Sequence, residues 1–192
     1  MTSTENPRVG VRARTRGAIL RAAATVLAQD RGAPLSAVAE AADVGRSTLH
    51  RYFPDREELL AATYREALSE ITRVMDEARV GEGPAAEAMR RVVAAHVEAG
   101  DWMLFAFGDP ANEAFDEDAG EVDSEPEVLT GLVRRGQEEG AFDPDADPAW
   151  VVQVLWALLF TGVERAKQGR MSRHAVAPAV VSVLEHGIAA RG

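Results

Sequence analysis

Apolar residues recur at helical spacing along most of this chain. Between Gly17 and about Gln29, Ile19, Leu20, Ala23, Val26 and Leu27 repeat every three or four residues, which predicts a first helix ended by Arg31-Gly32. Residues 1–11 carry no such pattern and are expected to lack structure. Two short segments follow, one with Val38 and Ala42 on a single face, the next with Leu49 and Tyr52 three apart. Pro54-Asp55 opens a fourth helix, with Glu57 and Glu58 in the first turn, where the helix dipole favours acids. Its stripe of Leu59, Leu60, Thr63, Ala67, Leu68, Ile71, Val74, Met75 and Ala78 runs until Gly81-Glu82-Gly83-Pro84. A fifth helix carries Met89, Val92, Val93, His96 and Val97, and Gly100-Asp101 separates it from the very apolar Trp102–Phe107. A helix is expected over Glu127–Glu139, another from Pro148 to about Gln168, and a last one between Ser172 and Ala190. No strand-like alternation and no internal repeat occur. The pattern predicts an all-α fold of about nine helices.

Residues 35–59 read LSAVAEAADVGRSTLHRYFPDREEL. A short helix, a tight turn and a second short helix are the layout of a helix-turn-helix, which docks its second helix in a DNA major groove. Val38, Ala42, Val44, Leu49 and Tyr52 make its miniature core, Ala39 lets the helices cross closely, and Ser36 is the expected N-cap. Asp43 takes the turn position, where a left-handed backbone is tolerable for Asp at about 1–2 kcal/mol. Arg46, Ser47, Thr48, His50 and Arg51 are left facing outward, and each can donate hydrogen bonds to phosphates or base edges. The plain alternative is a solvated face on a helical hairpin.

Residues 17–60 resemble the N-terminal domain of TetR-type transcriptional regulators. The likeness is carried by the opening helix, the motif above, and the string Leu49-His50-Arg51-Tyr52-Phe53-Pro54-Asp55-Arg56-Glu57-Glu58-Leu59. It implies a dimer that binds an approximately palindromic operator and a C-terminal body that binds a small-molecule effector. The DNA-contacting set implied by motif and resemblance together is Ser36, Arg46, Ser47, Thr48, His50, Arg51, Tyr52 and Arg56. Three positions depart from the family pattern. His50 stands where a Tyr usually touches phosphate, Asp43 stands at the customary turn Gly, and Arg56 replaces a Lys while keeping its charge and expected phosphate contact. The expected division is a DNA-binding domain over 12–56 and a ligand-binding and dimerisation domain over 57–192, joined by the helix 57–80.

The net charge of −10 at first opposes a nucleic-acid partner, but the charge is segregated. Residues 1–56 carry nine Arg and five acids, whereas residues 57–192 carry twelve basic and twenty-six acidic residues. A basic head on an acidic body suits DNA binding, since only the head must face phosphates. Arg8, Arg12, Arg14 and Arg16 could track the backbone from the first helix, or merely be solvated. The 192 residues contain no cysteine, which excludes disulfides and thiol chemistry. No signal-peptide pattern opens the chain, and the apolar stretch Trp150–Val163 reads as too short to span a bilayer. A cytoplasmic protein with no membrane partner is expected. From Asp109 to Glu127 there are nine acids and no bases, which reads as an exposed loop without a calcium-loop pattern.

The body offers Met89, His96, Trp102, Met103, Phe105, Phe107, Trp156 and Phe160 as candidate pocket residues, although for any single one ordinary core is the better reading. The helix beginning at Pro148 is apolar nearly all round and must be buried on two sides. Val152, Trp156 and Phe160 with Val180, Leu184 and Ile188 on the next helix are therefore the expected dimer surface. No catalytic residue, metal site or cofactor is expected, because the chain has no nucleophile motif, paired metal ligands or phosphate-binding loop. The leading expectation is a dimeric, sequence-specific repressor released from DNA by an effector. A DNA-binding regulator without an effector is the alternative, ahead of a helical-bundle enzyme.

Overall fold

The computed structural model describes residues 7–109, 111–112, 114–115 and 125–188. Among them run nine helices: α1 (Pro7–Leu27), α2 (Leu35–Ala41), α3 (Arg46–Tyr52), α4 (Arg56–Ala78), α5 (Ala85–Glu98), α6 (Gly100–Phe107), α7 (Glu125–Glu138), α8 (Pro148–Lys167) and α9 (Arg173–Ile188). The all-helical expectation holds. Among the described residues the first helix is already present at Pro7, earlier than expected. The acidic stretch 109–127 falls largely outside the described residues.

Local chemistry sets the ends of the long α4. The Asp55 carboxylate accepts from the Glu58 N–H at 2.8 Å and caps its start. At the far end Arg79 is left-handed, with φ 48°. Arg91 of α5 donates to the carbonyls of Ala78 at 2.8 Å, Arg79 at 3.0 Å and Glu82 at 2.6 Å. One guanidinium thus satisfies carbonyls left open by the helix end and docks α5 against it.

Two hydrophobic cores result. The first joins Ile19, Leu20 and Ala23 of α1, Val38 of α2, Leu49 of α3 and the first half of α4, and it also takes Trp102, Phe105 and Ala106 of α6. The second gathers the end of α4, then α5, α7, α8 and α9, and takes Met103 of α6. Gly100 lets α6 approach α8 closely, since a Cβ there would lie 2.6 Å from Val163 Cγ1. Gly162 does the same between α8 and α9, against Val176.

Two sequence expectations change here. Helix α8 spans twenty residues and is long and apolar enough to cross a membrane by length and composition. It nevertheless sinks Val151, Val152, Leu155, Leu159 and Val163 into the body core, as a core helix does. Val152, Val180 and Leu184 are 4%, 4% and 2% exposed and pack in the protomer's own core. Trp156 and Phe160 are half-buried, and the side chain of Ile188 lies outside the described residues. The apolar stripe was real, but its most regular positions point inward.

Helix α7 allows a test of packing with opposite signs. Gly131 faces open space, whereas a Cβ on Gly136 would lie 2.1 Å from Phe142 Cδ2. Gly131→Ala should stabilise the protein by about 0.5–1 kcal/mol through helix propensity. Gly136→Ala should destabilise it by about 1–3 kcal/mol through overpacking. Urea denaturation of both variants checks the pair, and equal signs would contradict the packing of Phe142 on α7.

Candidate functional site

The helix-turn-helix forms from α2 and α3 as its sequence dictates. Asp43 has φ 53°, the left-handed turn expected of it, and its N–H donates to the Glu40 carbonyl at 3.0 Å. Val38, Ala39 and Leu49 are buried between the helices, with Ala42, Val44 and Tyr52 half-buried around them. Ser36 is not the N-cap: Pro34 occupies that position without a side-chain bond, and Ser36 lies inside the first turn of α2. Proline holds the extended backbone that a helix entry needs, so the hydroxyl stays available.

On α3, Arg46, Ser47, His50 and Arg51 are exposed and Thr48 is half-buried. His50 Nδ1 lies 3.4 Å from the Pro54 carbonyl. Tyr52 is flanked by two guanidinium groups, Arg12 at 5.8 Å and Arg51 at 5.9 Å from the ring centroid. Arg16 lies 5.6 Å from the Phe53 ring and pairs with Glu66 at 3.8 Å. The end of α1 nearest the motif is thereby held against α3 by cation–π contact. Arg14 is exposed, and the side chain of Arg8 lies outside the described residues.

Arg56 departs from its expected role. Its Nη1 donates to the Ala33 carbonyl at 2.7 Å and its Nη2 to the Arg31 carbonyl. The guanidinium therefore fastens the loop between α1 and α2 to the start of α4 instead of pointing at solvent. Arginine suits this task because its planar fork presents several N–H groups in fixed directions, so two carbonyls can be met by different nitrogens of one group.

The body brings together only part of the predicted pocket set. His96 is fully buried, its Nδ1 donates to the Val92 carbonyl at 2.8 Å, and its ring stands edge-on to Trp156 at 5.0 Å. Phe107, 47% exposed, lies 6.3 Å from the same indole. Met103 is buried in the body core, as is Met89, which sits toward α9 beside Phe142 and Leu184. Trp102 and Phe105 are elsewhere: they fill the head-side core. Helix rotation explains the split, since successive positions of α6 face different cores. No group of three or more metal-ligating side chains occurs among the described residues.

A polar seam between head and body escaped the sequence reading. Thr25 of α1 donates to Asp101 Oδ2 at 2.7 Å, and Lys167 of α8 meets Asp101 Oδ1 at 3.0 Å. Lys167 also donates to the Thr25 carbonyl at 3.3 Å. Burial pushes the Asp101 carboxyl up, but the bonds from Thr25 and Lys167, with the charges of Lys167 and Arg173, outweigh it and hold the group below its ordinary value. The contribution is thus present above the ordinary carboxylate range and lost as pH falls through the lowered value. Arg31 adds a second tie, to Asn112 Oδ1 at 2.8 Å and to Asp109 at 3.0 Å, while Asn112 donates to the Phe105 carbonyl at 2.5 Å. Two signals were present in the sequence: Asp101 beside an otherwise apolar run, and Lys167 as the one lysine among twenty arginines.

Comparison with known proteins agrees with this geometry. Residues 19–63 match the family described as "Bacterial regulatory proteins, tetR family". The chain is 39% identical over 179 residues to the HTH-type transcriptional repressor LfrR of Mycolicibacterium smegmatis, covering 93% of both chains. It is 23% identical to the HTH-type transcriptional regulator NfxB of Pseudomonas aeruginosa, over 88% of this chain and 91% of that one. The crystal structure of LfrR superposes with a TM-score of 0.75 at 37% identity, covering 93% of this chain and 98% of LfrR. A second structure of LfrR, in complex with proflavine, superposes with a TM-score of 0.72 over 93% of this chain and 99% of that one.

The two arginines of the motif should respond differently to removal. Arg46→Ala should cost about 1–3 kcal/mol in duplex binding and relax one base position. Arg56→Ala should leave two carbonyls unpaired and cost about 1–3 kcal/mol of folding stability. Competition binding over a library of duplexes and thermal melts of both variants check this, and an unchanged melt for Arg56→Ala would return that residue to a phosphate role.

Proposed function

We propose a mode of action for this chain, which belongs to the TetR family of bacterial transcriptional regulators and is a DNA-binding regulator, not an enzyme. It acts in the cytoplasm as a homodimeric repressor that leaves an approximately palindromic operator when a small molecule binds its body. The single observation that carries the DNA reading is the donor face of α3, where Arg46, Ser47, His50 and Arg51 are all exposed on one short helix. Arg46 and Arg51 suit guanine edges or phosphates, while Ser47, Thr48 and His50 suit phosphates and single acceptors. Ser36 at the start of α2 and Tyr52 between its two arginines position the head on the backbone.

The second copy is proposed to cover the outer faces of α8 and α9. Trp150 is 63% exposed and Val183 54%, and Ala157, Thr161 and Gly187 are exposed on the same two helices. An indole so placed costs solvation unless something covers it, and small neighbours let helices approach. A two-fold axis there would present two α3 helices to successive major grooves, which is why the operator should be close to palindromic.

The effector is proposed to be a flat, positively charged aromatic molecule. His96, Phe107 and Trp156 offer ring faces and edges in one place, and the relative LfrR has been solved with proflavine. Aromatic stacking and cation–π attraction both favour such a ligand. The acidic balance of the body works in the same direction.

Two outcomes are expected. Val183→Glu should yield a folded monomer by sedimentation, whereas Leu184→Glu should unfold the body, because it buries an unpaired charge at a cost of several kcal/mol. A Val183→Glu protein that stays dimeric would move the interface elsewhere. In calorimetry without DNA, Phe107→Ala should weaken proflavine by about 0.5–1.5 kcal/mol. Proflavine must also weaken operator binding by the same factor as operator weakens proflavine binding. A scrambled duplex subtracts intercalation, and equal operator affinity with and without proflavine would remove the effector reading.

A further inference from the structure

We propose that Asp101 is a positioning residue that couples the body to the DNA-binding head, by holding Thr25 of α1 and Lys167 of α8 on the two oxygens of one carboxylate. The inference rests on the regulator reading above and names a route for its signal. Helix α4 is the obvious connection, since it runs from the helix-turn-helix into the body core. The node supplies a second one that bypasses it.

The argument begins with α6. Trp102, Phe105 and Ala106 are packed with Ile19, Leu20 and Ala23 of α1, so this face of α6 moves with the head. Asn112 and Asp109, just beyond α6, hold Arg31 at the far end of the same head segment. On the other side α6 is gripped by α8, through Val163 against Gly100 and through Lys167 on Asp101. Helix α8 carries Trp156, the indole that contacts both His96 and Phe107. A ligand that displaces Trp156 therefore pulls on the helix whose last residue is Lys167.

The chemistry of the three residues suits a latch. A carboxylate with one partner on each oxygen fixes two helices in both distance and direction. Lys167 closes the triangle by donating to the Thr25 carbonyl as well, so a shift of α8 by the length of a hydrogen bond breaks its contacts to α6 and to α1 together. The node is not sealed. A groove of about 210 Å³, lined by Gly100, Asp101, Val163 and Arg173 among others, lies open beside it. Water entering there can take over the broken bonds, which keeps the open state accessible. Arg173 donates through Nη2 to the Val97 and Glu98 carbonyls, at 3.3 and 2.7 Å, and acts on Asp101 through its charge.

The test uses full-length protein, a duplex operator selected from a random library, and proflavine as the probe. The quantity read is the ratio of operator Kd values with and without proflavine, compared between wild type and Asp101→Asn, Thr25→Val, Lys167→Met and Thr25→Ser. Intercalation is common to all of them and cancels. Allosteric ratios run about 5- to 150-fold. Asp101→Asn, Thr25→Val and Lys167→Met should each cut the wild-type ratio several-fold, while proflavine affinity without DNA stays unchanged. Thr25→Ser keeps the hydroxyl and should keep the ratio. A wild-type ratio retained in Asp101→Asn and Thr25→Val overturns the proposal.

If proflavine leaves wild-type DNA binding unchanged, the effector reading fails and a second readout decides the node. Operators with half-sites one base pair closer or farther apart are then compared. The wild type should discriminate sharply among spacings and Asp101→Asn should not. Equal discrimination by the two proteins overturns the node on its own terms.

Discussion

One short helix has to satisfy two cores. Helix α6 is only eight residues long, yet Met103 belongs to the body and Trp102, Phe105 and Ala106 to the head. Its surface is therefore committed on both sides, and neither half of the molecule can repack without moving it. Close-packed interiors answer such a demand by shifting between discrete arrangements, not by deforming smoothly. The rest of the architecture follows from that commitment. Gly100 removes the side chain that would hold α8 away, the Asn112 carboxamide secures the end of the helix, and α4 supplies a long lever whose two ends lie in different cores.

Within the head, arginine does several distinct jobs that composition alone lumps together. Arg46 and Arg51 are exposed on α3, Arg12 and Arg16 stand over aromatic rings, and Arg56 and Arg31 tie loops and helices together. A planar fork with five N–H groups serves each task, which helps to explain how one residue type fills nearly every basic position.

Much of this was legible in the sequence, and the remainder divides by physical cause. Helical periodicity located the helices, because one-sided burial imposes it directly. The turn at Asp43 was legible because few residues tolerate that conformation. The backbone contacts of Arg56 were not legible because a motif fixes residue type and place but not which acceptors lie within reach. The burial of Val152, Val180 and Leu184 within the protomer was not legible because an apolar stripe does not say whether its own chain or a second copy will cover it. The node of Thr25, Asp101 and Lys167 joins positions up to 142 residues apart, a separation at which no local pattern operates. The eight proposed pocket residues divide between the two cores and the surface, because a list of aromatics carries no information on the direction in which each one points.

The separation of charge has a consequence for the moments before any contact is made. With an excess of arginine at one end and of carboxylates at the other, the protein is an electric dipole as well as an anion. In the field of a duplex such a particle feels a torque. It is turned so that α3 leads and the body trails, and approaches in other orientations are repelled. Part of the orientational search that slows most associations is thus completed in solution. The same torque weakens as salt shortens the range of the field, so capture from a distance is the first step of recognition to feel a change in ionic strength.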